Sequence, residues 1–144
     1  MWRVLRLRAE SIKDAEAEKS MDQLLFKDEC YQLVGAAIEM RKELGLGFLE
    51  PVYQEAFAIV LKDKGIPFVK EAPLPIRFRG QTLEKRYYAD FLCFNKIVLE
   101  FKAVKTILPE HEAQVINYLR CTGYRLGLIF NFNSKGFFHY RIAL

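Results

Sequence analysis

The chain has 144 residues, 51% of them hydrophobic, which suffices for one domain with a single core, and it shows no internal repeat or low-complexity linker. Its net charge of +4 suits a polyanionic partner without demanding one, because Arg77, Arg79, Lys85, Arg86, Lys105, Arg120 and Arg125 form no run. No apolar run reaches membrane-spanning length; Cys30, Cys93 and Cys121 lack CxxC spacing, which excludes a disulfide frame or zinc cage and fits a reducing, cytoplasmic setting.

Residues 1–20 read as an extension, flexible or helical, ahead of a single domain at 21–144. Trp2-Arg3-Val4-Leu5-Arg6-Leu7-Arg8 interleaves basic and apolar residues, and Ala9 onward is rich in Ala, Glu, Lys and Asp. Without a continuous apolar core or a cleavage-like site it is not a secretory signal. Residues 22–44 predict a helix, with Tyr31, Val34 and Ile38 on one stripe and Leu33, Ala37, Met40 and Leu44 beside it. A second helix opens at Glu50-Pro51, since proline is tolerated only in the first turn, and Lys64-Gly65 stops it. Leu49, Val52, Tyr53, Ala56 and Val60 recur at helical spacing as its core face. Residues 66–71 and 74–79 read as extended, and 83–94 with 97–104 as a hairpin. Pro109 begins a third helix, in which Gln114 and Tyr118 share a face and Val115, Leu119 and Thr122 form another stripe. His111 in its first turn suits a capping or packing role. Residues 125–132 form an almost wholly apolar strand, as a sheet centre requires; 133–136 turn, and 137–142 close the sheet.

The chemistry concentrates in Tyr88-Ala89-Asp90-Phe91-Leu92, Asn95-Lys96 and Val98-Leu99-Glu100-Phe101-Lys102. Strand side chains alternate between faces, so Val98, Glu100 and Lys102 share one face while Ile97, Leu99, Phe101 and Ala103 take the other. An acid and a lysine in so apolar a strand are costly unless partnered or employed. A turn centred on Asn95 makes Asp90 and Glu100 direct partners. A two-residue Asn95-Lys96 turn would set Asp90 opposite Phe101 instead. The first register gathers the polar groups and is the one expected.

Two carboxylates and a lysine meet the needs of metal-assisted phosphodiester cleavage. Mg²⁺ prefers oxygen, keeps several waters, and is held by one or two carboxylates plus substrate phosphate. A neighbouring ammonium can orient the attacking water or meet developing negative charge. The spacing alone equally describes an ion pair on a strand at a sheet edge. Glu50 at a helix start likewise gains from the helix dipole whether or not it points at a site.

Gly47-x-x-Glu50-x-x-Tyr53, the Ala-Asp of Tyr88-Ala89-Asp90, Glu100-Phe101-Lys102-Ala103-Val104, Pro109-Glu110-His111-Glu112-Ala113-Gln114 with Asn117-Tyr118-Leu119, and Gly127-Leu128-Ile129-Phe130-Asn131-Phe132 occur in order. Together they resemble the GxxExxY proteins, a branch of the PD-(D/E)XK nuclease superfamily, over residues 28–142. The resemblance implies a restriction-endonuclease-like α/β fold, with a three-layer core and a mixed central sheet flanked by helices. It implies Asp90 and Glu100 as metal ligands and Lys102 as catalytic lysine. Glu50 would be the acid of the first core helix, Gln114 the helix glutamine, and Tyr118 and Tyr53 substrate-binding residues. Three positions depart from the pattern: Leu46 where proline is frequent, Pro51 where a small residue is usual, and Tyr88 where arginine often precedes the Ala-Asp.

The expected function is a Mg²⁺-dependent nuclease, with Mn²⁺ substituting, acting on nucleic acid and on DNA rather than RNA. The alternative is a catalytically silent nucleic-acid or protein-binding module on the same scaffold. A structural protein with a strand ion pair is a distant third. No membrane partner is expected, and the oligomeric state, a homodimer included, is left open.

Overall fold

The computed structural model describes residues 3–8, 25–133 and 135–143. Among the described residues, six strands and three helices make three layers. In chain order they are β1 (Arg3–Arg8), α1 (Lys27–Leu44), α2 (Glu50–Asp63), β2 (Phe68–Phe78), β3 (Gln81–Cys93), β4 (Ile97–Lys102), α3 (Pro109–Thr122), β5 (Leu126–Asn133) and β6 (Gly136–Ala143). The sheet runs β1-β6-β5-β4-β3-β2. Among the described strands only β4 and β5 pair in parallel, because α3 carries the chain across between them.

Strand alternation sorts the side chains into two cores. Phe91, Cys93, Ile97, Leu99, Phe101, Leu128, Phe130 and Phe132 face α1 and α2. Leu92, Val98, Ile129 and Ile142 face α3, against Val115, Tyr118 and Leu119. Both faces of β4 and β5 are therefore covered, and every residue of β5 is buried. The expected three-layer α/β arrangement with a mixed sheet is the one observed.

Four local expectations differ. Arg3–Arg8 is neither flexible nor helical but a strand paired antiparallel with β6, from Arg3↔Ala143 to Arg8↔Phe138. It satisfies the backbone groups that β6 would otherwise expose at the sheet edge. The remainder of the predicted extension, residues 9–20, lies outside the described residues. The first helix begins at Lys27 rather than residue 22, after Phe26 in a left-handed conformation (φ 53°); residues 22–24 lie outside the described residues.

The buried stripe of α2 is Tyr53, Phe57 and Leu61. It is rotated from the expected one, so that Leu49 is 77% exposed. Ala56 and Val60 flank it, half-buried. Two adjacent stripes both had helical spacing, and the larger side chains took the core. The two extended segments before Gly80 are one strand, β2, with Glu71 at positive φ (52°). Pro73 and Pro75 fit because β2 is the edge strand and needs no second ladder.

Candidate active site

The β3–β4 hairpin takes the register centred on Asn95: Phe91↔Leu99, Leu92↔Val98 and Cys93↔Ile97. Phe94 and Asn95 both adopt positive φ (54° and 56°), and the Lys96 N–H closes the loop onto the Cys93 carbonyl at 3.1 Å. The next pair in this register is Asp90 with Glu100. There the ladder changes character. The Asp90 N–H donates to Glu100 Oε1 at 3.0 Å, and the Phe101 N–H donates to Asp90 Oδ2 at 2.7 Å. Two carboxylates thus replace carbonyls as acceptors where β3 and β4 part, and each is fixed by the backbone of the other's strand.

This fixing has an electrostatic cost. Glu100 is only 4% exposed. Burial, compounded by the Asp90 charge, pushes its carboxyl up to about 8. Burial also raises Asp90, although the Phe101 N–H and Lys102 hold it back. Two like charges this close, Glu100 buried and Asp90 half-buried, favour sharing a proton or taking up a cation. Glu71, opposite Asp90 on β2, adds a further negative charge that raises Asp90.

Lys102 ends β4 on the face of Val98 and Glu100, half-buried, and its charge acts on both carboxylates. Among the described residues its ammonium makes no ion pair within 4 Å. The segment behind it is pinned. Asn131, opposite Lys102 on β5 and buried, accepts the Val104 N–H at 3.0 Å and donates to the Val104 carbonyl at 2.9 Å. Asn133 donates to the Lys105 carbonyl at 2.9 Å. Sequence reasoning missed Asn131, Asn133 and Glu71. The signal for the asparagines was two amides in an otherwise apolar strand.

Tyr118 of α3 is 5% exposed, its ring 4.9 Å from that of Tyr87. Burial and then the Glu100 and Asp90 charges raise its hydroxyl pKa, so it stays protonated beside the carboxylates. Gln114 lies one turn nearer the helix start on the same side, exposed to solvent. His111 caps that helix, its Nδ1 accepting the Leu108 N–H at 3.0 Å.

Glu50 is the first residue of α2 and half-buried. Tyr53, one turn on, stacks on Phe132 near the end of β5 (4.6 Å between centroids), which sets the α2 N-terminus at the Lys102 end of the sheet. No hydrogen bond or ion pair joins Glu50 or Gln114 to the two carboxylates among the described residues. Tyr53 itself is fully buried, contrary to a substrate-facing position. Its hydroxyl donates to the Gly45 carbonyl at 3.2 Å and accepts the Phe48 N–H at 3.4 Å, holding the loop before Glu50.

No group of three or more His, Cys, Asp and Glu side chains converges among the described residues. Asp90 and Glu100 could offer a cation hard oxygen donors. That set fits Mg²⁺ or Mn²⁺, which take the rest of their shell from water and substrate phosphate, and does not fit zinc.

Among curated proteins none matches the sequence. The solved structure of SSO0001 superposes with a TM-score of 0.52 at 19% identity, over 82% of this chain. This chain spans 59% of that structure's length, and at such identity the likeness establishes the fold alone. The mixed sheet flanked by helices is itself consistent with a restriction-endonuclease-like fold. The sequence model of the PD-(D/E)XK nuclease superfamily matches residues 27–141. That match spans most of the chain, from α1 into β6, and takes in Glu50, Asp90, Glu100, Lys102 and Gln114, so the chain belongs to the PD-(D/E)XK nuclease superfamily.

Proposed function

We propose that this protein is a metal-dependent nuclease of the GxxExxY branch, hydrolysing phosphodiester bonds of nucleic acid, with DNA as the preferred substrate. The observation that carries the reading is the crossed bonding of Asp90 and Glu100, each carboxylate held by a backbone N–H of the other's strand, with Lys102 on the same face and in no ion pair among the described residues. A structural ion pair would set the lysine on a carboxylate; here it is left available. Nucleases of the superfamily typically use divalent metals. Held by Asp90 and Glu100, Mg²⁺ or Mn²⁺ would supply an acidified water and charge neutralisation at the phosphoryl oxygens.

The chain's own groups do the rest. Lys102 orients the attacking water by hydrogen bonding and faces the negative charge that grows on the phosphoryl oxygens. Asn131 keeps the strand end that bears Lys102 from moving. Tyr118 keeps its proton and closes the inner wall of the site. Glu50 and Gln114 line the rim from the starts of α2 and α3, as their matching positions in the family pattern imply. Cys30, Cys93 and Cys121 form no disulfide among the described residues, and the first two are buried, which supports a cytoplasmic setting. No helix among the described residues is long and apolar enough to cross a membrane.

Gel-resolved cleavage beside filter binding tests this, with labelled single-stranded, duplex and branched DNA and RNA in Mg²⁺, Mn²⁺ or EDTA. Wild type should cleave DNA only with a divalent ion. Lys102→Ala should lower turnover on the order of a hundredfold or more, as loss of an electrostatic stabiliser does. Lys102→Arg should not rescue, because a planar fork cannot replace a compact ammonium. Undiminished cleavage by Lys102→Ala would refute the mechanism. Binding without cleavage on every substrate would establish the silent module instead.

A further inference from the structure

The basic residues that look scattered in the sequence are gathered by one element. The β2–β3 hairpin pairs Pro75 with Arg86, Arg77 with Thr82 and Phe78 with Gln81, and closes through Arg79 and Gly80, both at positive φ (49° and 75°). From residue 77 to residue 86 every position is exposed on both faces of the ribbon. This stretch carries Arg77, Arg79, Lys85 and Arg86 against one acid, Glu84. Phe78 is 62% exposed, with the Arg79 guanidinium 5.4 Å from its ring centre.

A two-stranded ribbon that buries neither face gains nothing from packing and is marginal by itself. Its length is not needed for the core, since the sheet's buried residues stop at Leu74 on β2 and resume at Ala89 on β3. The extension is therefore a surface for something else, and its charge selects a polyanion. Shape narrows the choice. The major groove of B-form DNA, about 12 Å wide, admits a two-stranded ribbon, whereas the deep, narrow major groove of A-form RNA does not. The ribbon is also continuous with the site, because β3 runs on from Arg86 to Asp90, roughly 13 Å further at strand rise.

We propose that residues 77–86 form a DNA-binding ribbon that lies in the major groove of duplex DNA, with Arg77, Arg79, Lys85 and Arg86 on its phosphates and base edges. This deepens the nuclease reading and rests on it for the choice of nucleic acid: the substrate is duplex DNA, or a structure with a duplex arm, gripped beside the scissile phosphate. A protein partner with an acidic groove is the outcome the test must exclude.

The test is binding in EDTA, where cleavage cannot interfere. Wild type and Arg77→Ala/Arg79→Ala/Lys85→Ala/Arg86→Ala are titrated with a blunt DNA duplex, the matching RNA duplex and the single strand over a range of salt. All four positions are exposed, and a thermal melt confirms the variant's fold. Wild type should prefer the DNA duplex. The variant should bind the duplex more weakly, and its log–log salt slope should shrink by ~0.9 for each phosphate it no longer neutralises. Lys42→Ala/Lys62→Ala, on the helices of the other face, should leave the slope unchanged. Where cleavage occurs, the hairpin variant should raise KM while kcat holds. An unchanged slope, an equal fall in the control, or equal wild-type affinity for duplex RNA overturns the ribbon. A reduced slope in the variant, when wild type never cleaves, supports the ribbon and refutes the nuclease reading alone.

Discussion

Asp90 and Glu100 show how two carboxylates can be held at the end of a strand pair despite their like charge. Each carboxylate takes a backbone N–H of the other's strand, so neither is left without a donor, yet Glu100 is buried, Asp90 half-buried, and the two are alike in charge. The folded Glu100 carboxyl at about 8 lies above its ordinary 4.5. Between those values the folded state holds a proton that the unfolded state has released, so stability falls as pH rises through this window. Thermal melts in EDTA should show a falling Tm from about pH 5 to about pH 8, and Glu100→Gln should flatten the decline. At the alkaline end Mn²⁺ should restore the wild-type Tm through binding to the folded state. Asp90→Asn should lose that restoration; a variant that keeps it would remove Asp90 from the ligand set. The register behind this pair was readable from Asn95 and the alternation of faces. The crossed carboxylate–amide bonds were not, because they depend on how far two strands part beyond their last regular pair.

Helix α3 and strand β5 meet without clearance. A Cβ built at Gly127 would collide with Val115 Cγ1 and touch Leu119. Glycine is required there by close approach rather than by its backbone angles. Gly127→Ala should therefore cost ~1–3 kcal/mol by overpacking. The double change Gly127→Ala/Val115→Ala should recover part of that loss, since the second substitution removes the colliding methyls. Urea melts of both variants decide it, and an additive double mutant would disprove the contact. The family pattern in residues 127–132 marked this strand, but its alternation did not reveal which residues meet a helix. The α2 stripe teaches the same limit. Periodicity located the helix, while the choice of Tyr53, Phe57 and Leu61 over the neighbouring stripe needed the partner surface.

At the scale of the fold, the sheet order places the parallel pair β4–β5 at the centre with helices on both faces. Stability should grade outward from there. Amides of β4 and β5 should exchange at the rate of global unfolding, and those of β1 and the β2–β3 ribbon tip should exchange faster through local opening. Native-state hydrogen exchange by NMR would show this, and ribbon-tip protection equal to that of β5 would contradict the exposed-ribbon account. Adding duplex DNA should then slow exchange in residues 77–86, which links the dynamic edge to the function proposed for it.

The sequence by itself determined the strand carrying Glu100 and Lys102, the turn at Asn95, the three helices and the superfamily. The strand, turn and helices depend on spacing and on local backbone preference, which a chain states directly, while the superfamily came from the resemblance of its ordered motifs to a known family. Tertiary structure decided the rest. It made Arg3–Arg8 a strand, because only the exposed edge of β6 gives those residues a partner. It buried Tyr53 as the anchor of a loop, and it turned Asn131 into a clamp on the chain behind Lys102. It also drew four dispersed basic residues onto one ribbon. These are relations between residues distant along the chain or across a hairpin, and they exist only once the sheet order and register fix which backbones lie side by side.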